Sequence, residues 1–312
     1  MPPPPPQSPP PPEPPGPERA AEVLRAFAEE ARSERPDLAL LCLLVGARAD
    51  GSLDAAAMDA AQVELDRLAG ELPFRPGGPE AWGTALAELL GGRYGFHGTP
   101  PEYRRLEASL LHTVLHRRRG LPILLSVVWI EVARRAGAPV YGLALPGHFV
   151  VGLGSFGQRP AGEPGQAGLG EDAGEEVPGQ VLLDPFDGGR VLAGEDAQQL
   201  VSEVTGGPLH PSMLVPAEPL DVIMRILNNI RAWAAGRPEH SDVALWAVDL
   251  QLLLPSHPAR LRHERAELLV QRGEYLTGAA ELEEYAEVVA PVDEQAADLV
   301  RRQARAARAM LN

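Results

Sequence analysis

The feature that most restricts the fold is a change of hydrophobic period near residue 137. Residues 122–136, PILLSVVWIEVARRA, are apolar on nearly every helical face until Arg134 and Arg135. A helix of that kind has to be buried on all sides. Beyond Gly137 the period falls from about 3.6 to about 2. Residues 139–145 and 148–153 read as strands, followed by 180–184 (QVLLD) and 189–192. A central helix inside a domain with a small antiparallel sheet is therefore expected, an α+β arrangement.

Upstream the pattern is helical, with helices expected at about 18–32, 37–47, 54–72, 79–92 and 102–118. The breaks are Pro36, Asp50-Gly51, Pro76-Gly77-Gly78-Pro79 and Gly98-Thr99-Pro100-Pro101. Residues 155–179, SFGQRPAGEPGQAGLGEDAGEEVPG, lack periodicity and read as a mobile surface insertion between two strands. A short helix is expected near 195–205. After 208–219, helix starts recur at about 222, 258 and 293, and again at about 241 and 275. That spacing is the tetratricopeptide period, so 220–312 should form an all-α array of helical pairs, each needing a neighbour to bury its face. Gly278 stands where that repeat usually carries alanine.

The first 17 residues hold 12 of the 33 prolines. They favour solvated polyproline II, as a disordered tail or as a docking site for a proline-reading partner. Neither the charged n-region nor the apolar h-region of a secretory signal is present. No apolar run is long enough to span a membrane. The net charge of −15 argues against binding nucleic acid or an anionic membrane surface. Cys42 is the only cysteine, which excludes an intrachain disulfide and a cysteine-based zinc cluster and fits a reducing cytoplasm. The domains read as a tail (1–17), an α+β domain (18–207, with the insertion at 155–179) and the array (220–312).

Helix start, histidine and aspartate occur in the order of a cysteine acyl-transfer enzyme. In such a site the helix N-terminus favours a thiolate, while a histidine oriented by an aspartate completes the set. RRRGLPILLSVVWIEVARRAGAPVYGLALPGHFVV, followed by LLDPFDGGR, resembles the SirB family. That family joins a bacterial transglutaminase-like (papain-like) domain to tetratricopeptide-type helices and has relatives in a eukaryotic F-box subfamily. The likeness runs from about 35 to 310 and includes RILNNIR (225–231) and QRGEYLTGAAELEEY (271–285). It implies that His148 and Asp184 occupy the superfamily's histidine and aspartate positions, and that the nucleophile position falls on Pro122. Proline supplies neither a nucleophile nor a proton. The chain departs from the family at Ala108-Ser109, where the family has Asn-Ser.

These residues leave several roles open. Ser126, one turn inside the helix, is expected to bond back to a carbonyl or sit in the core, the alternative being a nucleophile. Cys42, within LALLCLLVGA, should be a buried inert thiol. His148 and Asp184 can hold the sheet and the PFDGG turn through an imidazole–carboxylate bond, bind a ligand or partner, or catalyse. His112 and His116 share a helix face but lack a glutamate base and a third ligand, so no metal and no cofactor is expected. The arginines at 117–119 read as a helix C-terminus complementing the dipole. Asp187-Gly188-Gly189 reads as a hairpin turn requiring positive φ. The expectation is a non-catalytic cytosolic interaction or regulatory protein with protein or peptide partners, a pseudoenzyme. The alternative is a hydrolase or acyltransferase using His148 and Asp184 with water or a non-cysteine nucleophile.

Overall fold

The computed structural model describes residues 11–74, 76–154, 180–210 and 213–310. The insertion expected at 155–179 and the first ten residues of the tail lie outside them. The chain divides into two compact units, one of residues up to Pro15 with Asp37–Ile223, the other of Gly16–Pro36 with Met224 onward.

In the first unit, α2 (Leu38–Ala49) and α3 (Ala55–Gly70) start at Asp37 and Asp54, whose carboxylates accept from Leu40 N–H and Ala57 N–H. Such caps satisfy donors that a helix start leaves free. α4 (Pro79–Leu86) runs into a π-helical turn, Ala87–Arg93. Expected helix 102–118 is instead two 3-10 turns, Pro100–Arg104 and Leu106–Ser109, followed by α5 (Leu111–Arg117). Pro100 and Pro101 lack N–H donors, and the Thr113 hydroxyl donates 2.8 Å to Leu110 O beside the point where the helix begins.

α6 (Pro122–Arg135) has every residue from Pro122 to Ala133 buried, as its all-round apolar pattern requires. It packs against β1 (Val140–Leu143) and β2 (Val150–Leu153). β3 (Val181–Asp184) and β4 (Arg190–Leu192) complete an antiparallel sheet in the order β1-β2-β3-β4. Val151 pairs with Leu183, and Asp184 pairs with Arg190. α7 (Gly194–Thr205) contributes Ala197 and Val201 to a buried cluster with Leu143, Val150 and Leu192. The sheet is thus covered on both faces.

The second unit contains α1 (Pro17–Glu30) and the array α8 (Pro219–Ala235, from Met224 onward), α9 (Ser241–Leu253), α10 (Arg260–Gln271), α11 (Tyr275–Val289) and α12 (Glu294–Ala309). The α+β fold and the helical array agree with the sequence pattern. The helix start that the pattern groups with the first domain, α1, packs on α9. Gly273 turns α10 into α11 at φ 84°. The oddity at Gly278 has a steric basis: a Cβ there would lie 2.6 Å from Val270 Cγ2 and 2.9 Å from Ala266 O. No helix among the described residues is long and apolar enough to cross a membrane.

Candidate functional site

The candidate site forms where the start of α6, the β1–β2 turn and the end of β3 converge in sequence order. Pro122 occupies the first turn of α6 and is buried. Its missing N–H is one that a helix start leaves unbonded in any case. The entry is fixed by Leu121 N–H donating 2.9 Å to Ala108 O. Thus the position where the family pattern departs contributes a backbone carbonyl to the helix start.

Ser126 is fully buried, and its hydroxyl donates 3.0 Å to Phe149 O. The side chain thus sits in the core, one of the two expected placements, with its bond going across to Phe149 and not back along the helix. It fastens α6 to the residue next to His148. His148 lies in the turn before β2, two residues outside the strand expected to carry it, and is half-buried. Gly147, at φ 73°, makes that turn.

Asp184 ends β3 with 7% exposure. Its Oδ1 accepts 2.9 Å from Phe186 N–H, capping the 3-10 turn Pro185–Asp187. Burial pushes its carboxyl above the usual value, while the Phe186 and Asp187 backbone N–H groups and the His148 charge pull it down. His148 and Asp184 are therefore electrostatically linked, and the carboxylate also serves the turn. That turn needs its glycines: Gly188 and Gly189 have φ of 62° and 87°. It is seated on two more. A Cβ on Gly91 would fall 1.8 Å from Gly188 O, and one on Gly98 would fall 1.8 Å from the Phe186 ring. Gly98 N–H also donates 2.9 Å to Phe186 O. The π-helical turn thus brings backbone against backbone below Asp184, a contact hidden from sequence except as the pair Gly91-Gly92.

Cys42 is 2% exposed, and burial, with the Glu131 and Asp37 carboxylates, pushes its thiol well above the usual value. A thiol in that state is a poor nucleophile. His112 Nε2 lies 3.2 Å from Asp50 Oδ2, whereas His116 is exposed. Burial lowers the His112 pKa, opposed by the Asp50 carboxylate. No group of three potential metal-ligating side chains occurs among the described residues.

Sequence reasoning missed the work of the arginines. Arg117 bonds both Glu102 oxygens, at 3.1 and 3.0 Å, Arg118 bonds Glu64 at 2.7 Å, and Arg119 donates 2.7 Å to Gly95 O. Arg118 takes φ 59° to end α5. The pattern RRRG carries only one signal of this, the helix stop.

Comparison with known proteins places these elements. The profile of the transglutaminase-like superfamily matches residues 53–228, and a tetratricopeptide repeat profile matches 230–312. A UPF0162 protein of Xylella fastidiosa strain 9a5c is 32% identical over 184 residues, 57% of this chain and 58% of that protein. A UPF0162 protein of Haemophilus influenzae is 26% identical over 205 residues, 65% of this chain and 68% of its own length. Mouse F-box only protein 21 is 22% identical over 178 residues, 57% of this chain and 26% of that protein. The chain therefore spans little more than half the length of the Xylella relative.

Proposed function

The chain belongs to the transglutaminase-like superfamily, and from that premise we propose that it is a non-catalytic cytosolic interaction or regulatory protein. In this reading Pro122 holds the nucleophile position, and His148 with Asp184 fastens the sheet to the PFDGG turn or receives a peptide. The carrying observation is that the thiol and the hydroxyl are both committed to the interior. Cys42 is buried with a raised pKa, and the buried Ser126 hydroxyl is bonded to Phe149 O. The tetratricopeptide helices support protein partners.

The test is a screen with broad fluorophosphonate and iodoacetamide probes, read by intact mass. No stoichiometric adduct is expected on the native chain. Stoichiometric labelling of Ser126, or an activity abolished by His148→Ala in a stable protein, would sink the reading.

One observation favours a second reading, a hydrolase in which His148 activates water: His148 is half-buried, not sealed in the core. A general base needs such access. Turnover of an ester or amide library that survives Ser126→Ala and disappears with His148→Ala would establish it.

A further inference from the structure

Positive charge is concentrated in one stretch of this acidic chain. Residues 93–119 hold six arginines against two glutamates, in a molecule whose net charge is −15. The first unit gathers three of its arginines around a single ring. The guanidinium carbons of Arg67, Arg93 and Arg118 lie 5.1, 5.7 and 5.4 Å from the centre of Tyr94. Arg119 joins them at the next residue. Its Nη1 donates 2.7 Å to Gly95 O, and His97 Nδ1 lies 3.0 Å from the same oxygen.

Such a cluster repels itself, and the acids within it neutralise only part of the charge. Glu64 accepts two bonds from Arg67 and one from Arg118. Glu71 pairs with Arg93 at 2.9 Å and with Arg67, and it accepts 2.6 Å from the Tyr94 hydroxyl. Two carboxylates thus serve four arginines. Arg119 has only carbonyl partners, Gly95 O and Arg118 O. Arg118 keeps a buried Nη1 with no acceptor among the described residues, which is uncommon for so strong a donor. The network also orders the guanidinium groups in advance, so less freedom remains to be lost when an anion binds.

The excess charge and its surroundings select the ligand. Guanidinium forks match carboxylates and phosphates. A long polyanion such as nucleic acid would bring many charges against a chain of net charge −15, whereas a short acidic peptide brings few. Spacing favours the peptide as well. Arg93, whose side chain is 69% exposed, and Arg119, held at Gly95 O, flank Tyr94 from backbone points two residues apart, about 7 Å at most. Alternate side chains of an extended segment stand about 7 Å apart.

We propose that the arginine cluster around Tyr94 is a docking surface for an acidic peptide segment of a partner protein, bound extended with carboxylates two residues apart on Arg93 and Arg119. The contact requires neither the His148–Asp184 pair nor the tetratricopeptide helices. It therefore stands or falls separately from the reading above.

The test is fluorescence anisotropy on the full chain with a fluorescein-labelled peptide of four Glu-Ser repeats. Saturable binding tighter than about 1 mM is expected at low salt, weakening as salt is added. The matching Gln-Ser peptide should not bind. Arg93→Glu, a change at an exposed side chain, should weaken binding at least about tenfold. Arg302→Glu makes the same charge change at an exposed site on α12 and should alter binding by no more than about twofold. Arg119→Ala should also weaken binding, and Arg119→Lys should recover most of the loss. Absence of saturable binding, or equal losses from Arg93→Glu and Arg302→Glu, would overturn the proposal. So would an oligothymidylate of matched length binding as tightly as the peptide, since the surface would then select charge alone.

Discussion

The two units treat polar side chains differently. The transglutaminase-like unit buries several, answering Ser126 and Asp184 with backbone, through Phe149 O and Phe186 N–H, and the buried carboxylates Glu102 and Glu131 with Arg117 and Arg134. The helical array spreads charge over half-exposed chains of pairs. Arg265 reaches both Asp249 and Glu281, and Arg301 reaches Glu287, Glu294 and Asp298. Where Gln251 is fully buried, it still shares its amide between Asn228 at 2.8 Å and Arg231 at 3.1 Å, on a neighbouring helix. A buried group with one partner has no substitute when that partner is lost, whereas a half-exposed network falls back on water. The first unit should therefore be intolerant at single atoms and the second forgiving.

Glycine contacts should separate the units most sharply. Gly91→Ala drives a Cβ into the Gly188 carbonyl, backbone on backbone, and should destabilise by about 3 kcal/mol. Gly278→Ala meets a movable Val270 methyl first and regains helix propensity, so a net loss of about 1 kcal/mol or less is expected. Urea unfolding monitored separately for each unit would measure both, and similar losses would break the contrast.

Hydrogen bonds give the next effect. Ser126→Ala removes a fully buried hydrogen bond to Phe149 O and should cost about 2 kcal/mol. Arg265→Ala, in a network about three-quarters buried, should cost about 1 kcal/mol. Reversal of that order in equilibrium unfolding would contradict the account.

Titration gives the smallest effect and sharpens the contrast within the first unit. Hydrogen bonds from Arg67 and then Arg118 hold the Glu64 carboxyl at about 2. Its folded pKa lies below the unfolded one, so its contribution is present above the unfolded value and fades as pH falls toward about 2. Asp184 has the opposite sign. Burial raises its folded pKa, so its favourable contribution is present below the unfolded value and lost as pH rises through the folded one. Relative to Asp184→Asn, the native chain should be more stable at pH 3.5 than at pH 7. Relative to Glu64→Gln, it should gain stability between those same pH values.

How much of this could be read in the sequence depends on whether the cause was local. Periodicity identified α6, the sheet and the array because burial of a face repeats along the chain. PGHF and DPFDGG at their spacing after GLPILLS pointed to the transglutaminase-like superfamily. What stayed hidden depends on contacts distant in sequence. Examples are Gly91 beneath Gly188, Ser126 reaching the sheet, α1 packing on α9, and three arginines each bonded to a different segment. The break of the expected helix at 102–118 was locally signalled by Pro100-Pro101, but the extended Leu110 that restarts it as α5 was not.

The central claim is that His148 and Asp184 serve as a structural fastener. The direct measurement is a double-mutant cycle in unfolding free energy at pH 6, using His148→Ala, Asp184→Asn and the pair. A fastener predicts that His148→Ala destabilises and that the two changes are coupled by about 1 kcal/mol. Zero coupling, or a chain made more stable by His148→Ala, would contradict it and point to a site strained for chemistry.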